Sequence, residues 1–277
     1  MGLRIGTNIG AVSINRILAR EAEEQTKSYQ RLASGQRILS AGDDAAGLAI
    51  SESLRAQIRS MQQAERNAND GISFIQVAEG GLTEISNILI RLRELGIQAG
   101  SDTISDRERG YIADEVHGLV EEVDRISNQT IFNGVQLLNG ESSKGILDFQ
   151  VGIRNTEHDR ILFDTTLSDT RSETLGIDGL DFETIDSARE ALDQVDESMG
   201  KLFSIRAQLG AMQNKLHATV RNLSTGTENL QLARSRIADT DIANEVSQLV
   251  KENILQEAGV AVLAQANMSP QLALKLL

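Results

Sequence analysis

The sequence has no cysteine and no tryptophan, a single proline among 277 residues, and only 3% aromatic residues. The absence of cysteine excludes a disulfide scaffold and a thiolate metal site. Because the one proline, Pro270, lies near the end of the chain, none interrupts the long stretches before it. The core must be built mostly from aliphatic side chains, which are typical of helix–helix seams. The composition therefore predicts a mainly α-helical protein.

Basic residues are also few, since 27 lysines and arginines oppose 40 aspartates and glutamates and give a net charge of −13. A nucleic-acid site needs clustered cations and stacking aromatic rings, and an acidic protein is repelled by anionic lipid. No stretch approaches the roughly 18 consecutive apolar residues of a membrane span. We expect neither nucleic acid nor a membrane as partner. The N-terminus lacks the apolar region of a secretory signal, so export would use a route that reads no such peptide.

Three long stretches place apolar residues at steps of three or four, the spacing of one helix face. The first keeps its phase across Gly80 and Gly81, so we interpret residues 45–99 as one helix, about 80 Å long. The others are residues 103–128 and 185–223. A compact chain of this size has a radius of gyration of only about 19 Å. The pattern therefore predicts an elongated antiparallel bundle of long helices, a coiled-coil rod.

Residues 130–182 differ from the rest of the chain in composition and in apolar spacing. "GILDFQVG" and "DRILFDTTL" mix β-branched and aromatic residues with polar ones, and Asn-Gly pairs occur at 133–134 and 139–140. Both features are hairpin signals. We expect a small β-hairpin region where the chain turns back at one end of the rod.

The apolar spacing predicts an amphipathic helix at each end of the chain. Neither helix has an obvious internal core on which to pack. Burying a leucine or isoleucine contributes about 1.5–3 kcal/mol, against about 1–2 kcal/mol per residue for ordering the backbone. These segments therefore need a partner, either each other or another copy of the chain. The residues of this terminal apolar stripe are Ile5, Ile9, Val12, Ile242, Val246, Leu249, Leu255, Val262, Leu272 and Leu276.

Several blocks of the sequence resemble those of one family. "RLASGQRILSAGDDAAGLAISESLRAQIRSMQQAERNANDGISFIQVAEGGLTEI" closely resembles the N-terminal conserved region of bacterial flagellin. "NQTIFNGVQLLNG" and "DFQVG" resemble its next blocks, and the tail from "SRIADTDIANEVSQLV" to "VLAQANMSPQLALKLL" resembles its C-terminal region. The resemblance implies a structural protein whose ends are disordered in the monomer and fold into a coiled-coil inner tube on polymerisation.

By this resemblance, residues 1–44 form an N-terminal inner-tube segment, 45–235 the helical rod with its β region, and 236–277 the C-terminal inner-tube helix. The short middle of the chain implies no outer domain. The implied partners are further copies in a helical homopolymer, an export chaperone at the C-terminal segment, and hook-associated and cap proteins. The subunit would leave the cell unfolded through the flagellar secretion apparatus and lie in the extracellular flagellum, with a sheathed or periplasmic filament left open. The alternatives are a hook–filament junction protein and a monomeric coiled-coil ligand or adaptor.

The adjacent carboxylates of Asp43 and Asp44 could form a metal site, an acid–base pair or a helix start. They immediately precede "AAGLAISESL", where the first long helix begins. A carboxylate at an N-cap accepts free backbone N–H groups for about 1 kcal/mol and complements the helix dipole. No third catalytic group accompanies the pair, so we interpret it as a cap that marks the start of the rod.

"IRLRELGIQ", residues 90–98, resembles the stretch that the flagellin-sensing Toll-like receptor grips. The matching residues are Arg91, Leu95 and Gln98, together with Glu115, whereas Ile90 stands where receptor-activating members usually carry glutamine. Alternatively, the charged residues are a solvated face, Leu95 faces the core, and the face packs on the next subunit. The leucine-rich C-terminus resembles a segment sensed by cytosolic innate receptors, without the usual final arginine.

The remaining candidate residues indicate neither a metal site nor a catalytic site. The three histidines, His117, His158 and His217, are far apart in sequence, and a zinc site at His158 would need two more good ligands close by. Acidic residues between 178 and 186 do not fit the spacing of a calcium loop, so a solvated loop is the better interpretation. We expect no cofactor, no metal and no enzyme activity.

Overall fold

The computed structural model describes residues 7–141 and 145–275, and for residues 269–275 the backbone alone. Within these ranges the protein is mainly α-helical with two small antiparallel hairpins, which confirms the predicted fold class. The α-helices are α1 (Ile9–Ser34), α2 (Ala45–Ala99), α3 (Asp106–Gln129), α4 (Ser172–Leu175), α5 (Ile185–Ala238) and α6 (Ile242–Lys275). The strands are β1 (Ile131–Phe132), β2 (Val135–Gln136), β3 (Ile146–Gln150) and β4 (Arg160–Asp164).

The chain forms two compact units, one made of residues 1–58 with 228–277 and the other of residues 59–227. The first contains α1 and α6, and the second contains the hairpins. The boundaries predicted near residues 44 and 236 concern assembly rather than contacts within one chain, and they stay a prediction.

The long helices agree with the apolar spacing. α2 is continuous through Gly80 and Gly81 and has the predicted bounds. α3 begins at residue 106 rather than 103, because the Glu108 carboxylate accepts from both the backbone N–H and the hydroxyl of Ser105 at 2.8 Å each. This capping box fixes where the helix starts. α5 continues to Ala238, well beyond the last apolar residue of the predicted stretch.

The core of residues 59–227 is aliphatic. Its fully buried side chains come from one face of α2, from α3 and from α5, among them Leu82, Ile85, Leu89, Leu92, Val123, Val195 and Leu202. Within this unit α2 and α5 run antiparallel, as the pair Arg93–Asp196 and the approach of Gly71 to Leu216 require. A Cβ atom at Gly81 would lie 2.7 Å from Thr130 Oγ1 and 2.8 Å from Leu138 Cδ1. This glycine is therefore needed for close packing.

The hairpins pack on this core through aromatic rings. Phe74 of α2 makes edge-to-face contacts with Phe132, Phe149 and Phe163, at centroid distances of 5.0–5.8 Å. β3 and β4 pair from Ile146 opposite Asp164 to Gln150 opposite Arg160. The predicted small β-hairpin region is confirmed, with its strands between Ile131 and Asp164, whereas the predicted limits at residues 130 and 182 stay a prediction.

Of the two Asn-Gly pairs, one forms the predicted turn. Asn133 and Gly134 have φ angles of +47° and +79° and join β1 to β2, as a two-residue hairpin turn requires. The interpretation of Asn139–Gly140 as a hairpin turn is wrong. Asn139 is buried and its side-chain oxygen accepts from the Glu141 N–H at 3.1 Å, a local turn that joins no paired strands.

Candidate assembly surface

The two ends of the chain pair with each other. Helices α1 and α6 lie antiparallel, and the side chain of Asn8 donates to the backbone oxygen of Ala266 at 2.9 Å. In the middle of the pair, Gln25 Nε2 donates to Asn253 Oδ1. At the far end the backbone N–H of Thr240 donates to the oxygen of Gly35 at 2.9 Å. Of the two partners predicted for the terminal segments, the structure contains the intrachain one.

The contact between α1 and α6 is unusually polar. We call it the seam, and define it by the less exposed positions that repeat every three or four residues along each helix. These are Ala11, Ile14, Leu18, Glu21, Gln25, Ser28 and Leu32 on α1, and Glu245, Leu249, Glu252, Gln256, Gly259, Leu263 and Ala266 on α6. A Cβ at Gly259 would lie 2.6 Å from Leu18 Cδ2, so this glycine allows the helices to approach closely.

Most of the large apolar side chains of the pair point away from the seam. Val12 keeps 64% and Ile254 60% of its surface exposed, although both lie on helices that pair. This outer apolar face consists of Ile9, Val12, Ile17 and Tyr29 on α1, and Ile242, Val246, Val250, Ile254, Leu255, Val260, Val262 and Met268 on α6. Ile14, Ile17, Leu18, Leu255, Ala258 and Val262 also line an open groove of about 250 Å³. Contiguous exposed apolar surface marks an interaction site.

Most of the predicted terminal stripe belongs to this outer face. Six of its members are exposed, namely Ile9, Val12, Ile242, Val246, Leu255 and Val262. Leu249 lies in the seam instead. Ile5, Leu276 and the side chain of Leu272 lie outside the described residues. The apolar stripe does not predict the seam itself. The signal for the seam is a repeat of three or four residues from Glu245 to Ala266, at which most positions are polar or small.

The two aspartates before α2 have different contacts. Asp44 Oδ1 accepts from the backbone N–H of Gly47 at 2.8 Å, which is the geometry of an N-cap. Asp43 accepts from the backbone N–H groups of Ser40 and Leu39 at 2.9 and 3.2 Å, in the turn that precedes the helix. The N–H of Ser40 lowers the pKa of Asp43. Each carboxylate therefore binds backbone N–H groups of its own loop or helix.

The surface around Arg91 is charged. Arg91 Nε donates to Glu115 Oε1 at 2.9 Å and its Nη1 to Glu94 at 3.2 Å, and the bond to Glu115 raises the pKa of Arg91. Gln98 is exposed on the same helix. Leu95 is only 1% exposed, so the interpretation of it as a surface contact is wrong, and the alternative that it faces the core is confirmed. It faces the core, because it continues the apolar stripe of α2.

The described residues contain no group of three or more histidine, cysteine, aspartate or glutamate side chains placed to hold a metal ion. His117, His158 and His217 are exposed at separate places, and Asp181 accepts from the backbone N–H of Glu183 at 2.8 Å. In the part of the chain that the structure describes, no helix is both long and apolar enough to cross a bilayer.

Comparison with known proteins agrees with this geometry. Residues 5–143 match the bacterial flagellin N-terminal helical region and residues 192–277 the bacterial flagellin C-terminal helical region. The flagellin of Halalkalibacterium halodurans is 42% identical over 273 residues, with 99% of each chain covered. The flagellar filament 31.3 kDa core protein of Treponema maltophilum is 39% identical over 287 residues, again with 99% of each chain covered.

A solved structure shows the same fold. The crystal structure of Bacillus cereus flagellin superposes with a TM-score of 0.51 at 24% identity, covering 57% of this chain and 88% of that one. The two family matches, together with relatives named flagellin and flagellar filament core protein, define a structural filament protein. The chain belongs to the bacterial flagellin family.

Proposed function

We propose that the chain polymerises into a helical flagellar filament through the outer apolar face of α1 and α6, and that this pair forms the inner layer of the filament. The observation that carries the proposal is the exposure of large aliphatic side chains along both terminal helices. A helix that is apolar on every side is normally buried, and α6 shields only its seam positions within the chain. Head-to-tail contacts that do not close produce an open helical polymer.

Folding of the terminal segments is coupled to assembly in this proposal. The seam buries few large apolar side chains, so it contributes little against about 1–2 kcal/mol per residue of backbone ordering. Burial of the outer apolar face between subunits supplies the missing stabilisation. Residues 1–44 and 236–277 would thus leave the cell unfolded through the flagellar secretion apparatus and become ordered when the subunit joins the filament.

Further partners follow from family membership. An export chaperone would cover the apolar surface of α6 before assembly, and hook-associated and cap proteins would contact the ends of the polymer. The filament would lie outside the cell. The exposed side chains of Arg91, Gln98 and Glu115 are proposed to contact a neighbouring subunit, on a surface that an innate immune receptor for flagellin would also touch.

The test is seeded polymerisation of purified monomer on short filament fragments, followed by electron microscopy. Val12→Asp and Ile254→Asp each place a carboxylate in the outer apolar face, where burial would leave it without a partner. Because both positions are exposed in the single chain, the variants should keep the monomer's far-ultraviolet circular dichroism and should not elongate the seeds.

The matched control is Asn15→Asp, which adds the same negative charge at an exposed polar position of α1. This variant should elongate the seeds at nearly the rate of the parent chain. Elongation by Val12→Asp and Ile254→Asp at the parent rate would contradict the proposed assembly surface.

A further inference from the structure

The most buried side chain in the described part of α6 is an acid. Glu252 is only 3% exposed, on a helix whose aliphatic residues are largely exposed. Gln248 Nε2 donates to its Oε1 at 3.0 Å, whereas Oε2 has no hydrogen-bond partner among the described residues. Burying a carboxylate with an unpaired oxygen is costly. An aliphatic residue would stabilise the pair more, so packing alone does not explain Glu252.

Other polar groups cross the seam at intervals along the pair. Asn253 accepts from Gln25, Arg31 Nη1 lies 3.6 Å from Glu245 Oε1, and Asn8 donates to the backbone of Ala266. Ser28 is also nearly fully buried. All three cross-helix contacts belong to the same antiparallel register. They are spread over most of the length of α1, from its N-terminal end to its last turn.

We infer that these polar residues specify the register in which α6 pairs with α1 of its own chain. A slip of one heptad would move Glu252 from the vicinity of Gln25 to that of Leu18 or Leu32. The same slip would separate Gln25 from Asn253 and Arg31 from Glu245. A polar residue in a helix seam specifies register at a cost in stability, because other registers break its cross-helix contacts or, for Glu252, replace a polar neighbour by leucine.

The outer apolar face provides no such selection. Its aliphatic residues occur on several sides of α6, and aliphatic contacts are non-directional. A helix of this kind could pair in many registers, or with the wrong chain, in a crowded polymer. The inference rests on the proposed function, since a subunit that repeats in a lattice must present the same surface each time.

The complete absence of cysteine allows a direct test, because introduced cysteines have no competitors. The pair Leu18→Cys and Gly259→Cys reports the observed register, in which these residues touch. The pair Leu18→Cys and Ala266→Cys reports a slip of one heptad. Disulfide formation is measured in the full chain, both as monomer and after seeded polymerisation. In the parent seam the first pair should oxidise at least about tenfold faster than the second, since one unpaired buried group shifts an equilibrium by that order.

The seam variant carries Gln25→Leu, Glu252→Leu and Asn253→Leu. It should retain helix content, and its ratio of the two oxidation rates should fall towards one. The matched control carries Asn15→Leu, Gln30→Leu and Glu257→Leu, which make comparable changes at exposed positions of the same two helices and should leave the ratio unchanged.

An unchanged ratio in the seam variant, or an equal fall in the control, would overturn the inference. If the seam variant loses its helix content, the single substitution Asn253→Leu decides the question, because it removes one cross-helix bond and should lower the ratio by a smaller factor. No change there would also overturn it. Failure of the parent chain to elongate seeds would contradict the proposed function alone, since disulfide formation in the monomer traps α1 and α6 when they pair transiently, and its ratio still measures the register.

Discussion

Residues 59–227 and the α1–α6 pair distribute their apolar side chains in opposite ways. In the first unit Leu82, Leu89 and Ile85 are fully buried, and the charged residues of α2 face outward. In the α1–α6 pair the middle of the seam holds Gln25, Ser28 and Glu252, and most of the large aliphatic residues are exposed.

The two regions obtain their stability from different sources. A unit that buries its own apolar stripe is stabilised within one chain by about 25 cal/mol per Å² of apolar surface removed from water. A helix pair that leaves its apolar surface exposed obtains that stabilisation only from another molecule. Residues 59–227 therefore bury their apolar surface within one chain, whereas α1 and α6, under the proposed function, bury theirs only between subunits.

The largest expected effect comes from truncating a buried leucine of residues 59–227. Leu89→Ala should lower the free energy of unfolding of the monomer by about 2–5 kcal/mol, because it leaves a cavity in a fully buried layer. Val250→Ala on the outer apolar face should change it by less than about 0.5 kcal/mol, yet raise the monomer concentration needed for polymerisation. Chemical denaturation and a polymerisation assay measure the two quantities.

The control for the first substitution is Ile97→Ala, an exposed isoleucine on the same helix, which should also change monomer stability by less than about 0.5 kcal/mol. The comparison between the two regions would break down if Val250→Ala destabilised the monomer as much as Leu89→Ala does.

A smaller effect separates two adjacent glycines of α2. Replacing either glycine by alanine should improve helix propensity by about 1 kcal/mol. A Cβ at Gly80 meets nothing within 4 Å, whereas one at Gly81 would collide with Thr130 and Leu138. Gly81→Ala should therefore be less stable than Gly80→Ala by about 1–3 kcal/mol in denaturant unfolding. Equal stabilities would mean that α2 packs less tightly than the structure indicates.

Much of the fold of residues 59–227 could be predicted from the sequence. The apolar spacing of α2 gave its bounds because a helix that buries one stripe in its own chain shows a single clear period. The Asn133–Gly134 turn was predictable because both residues tolerate positive φ angles. The Asn139–Gly140 pair was wrongly interpreted as a hairpin turn, because asparagine also forms local turns in which its side chain accepts a hydrogen bond from the backbone two residues on.

The seam could not be predicted in the same way. Exposed aliphatic residues such as Val12 and Ile254 produce the same spacing as buried ones, so periodicity cannot say which face meets which helix. The register depends on Gln25, Asn253 and Glu252, which are distant in sequence and significant only once the helices are paired. Leu95 matches a contact position of the family, yet it is buried, as its place in the apolar stripe of α2 indicates.

The most direct test of coupled folding and assembly is backbone amide hydrogen exchange of the full chain, measured in the monomer and in seeded filaments. The account predicts fast exchange in α1 and α6 of the monomer, strong protection of both helices in the filament, and similar protection of residues 59–227 in the two states. Monomers in which α1 and α6 are protected as strongly as the middle of α2 would contradict it.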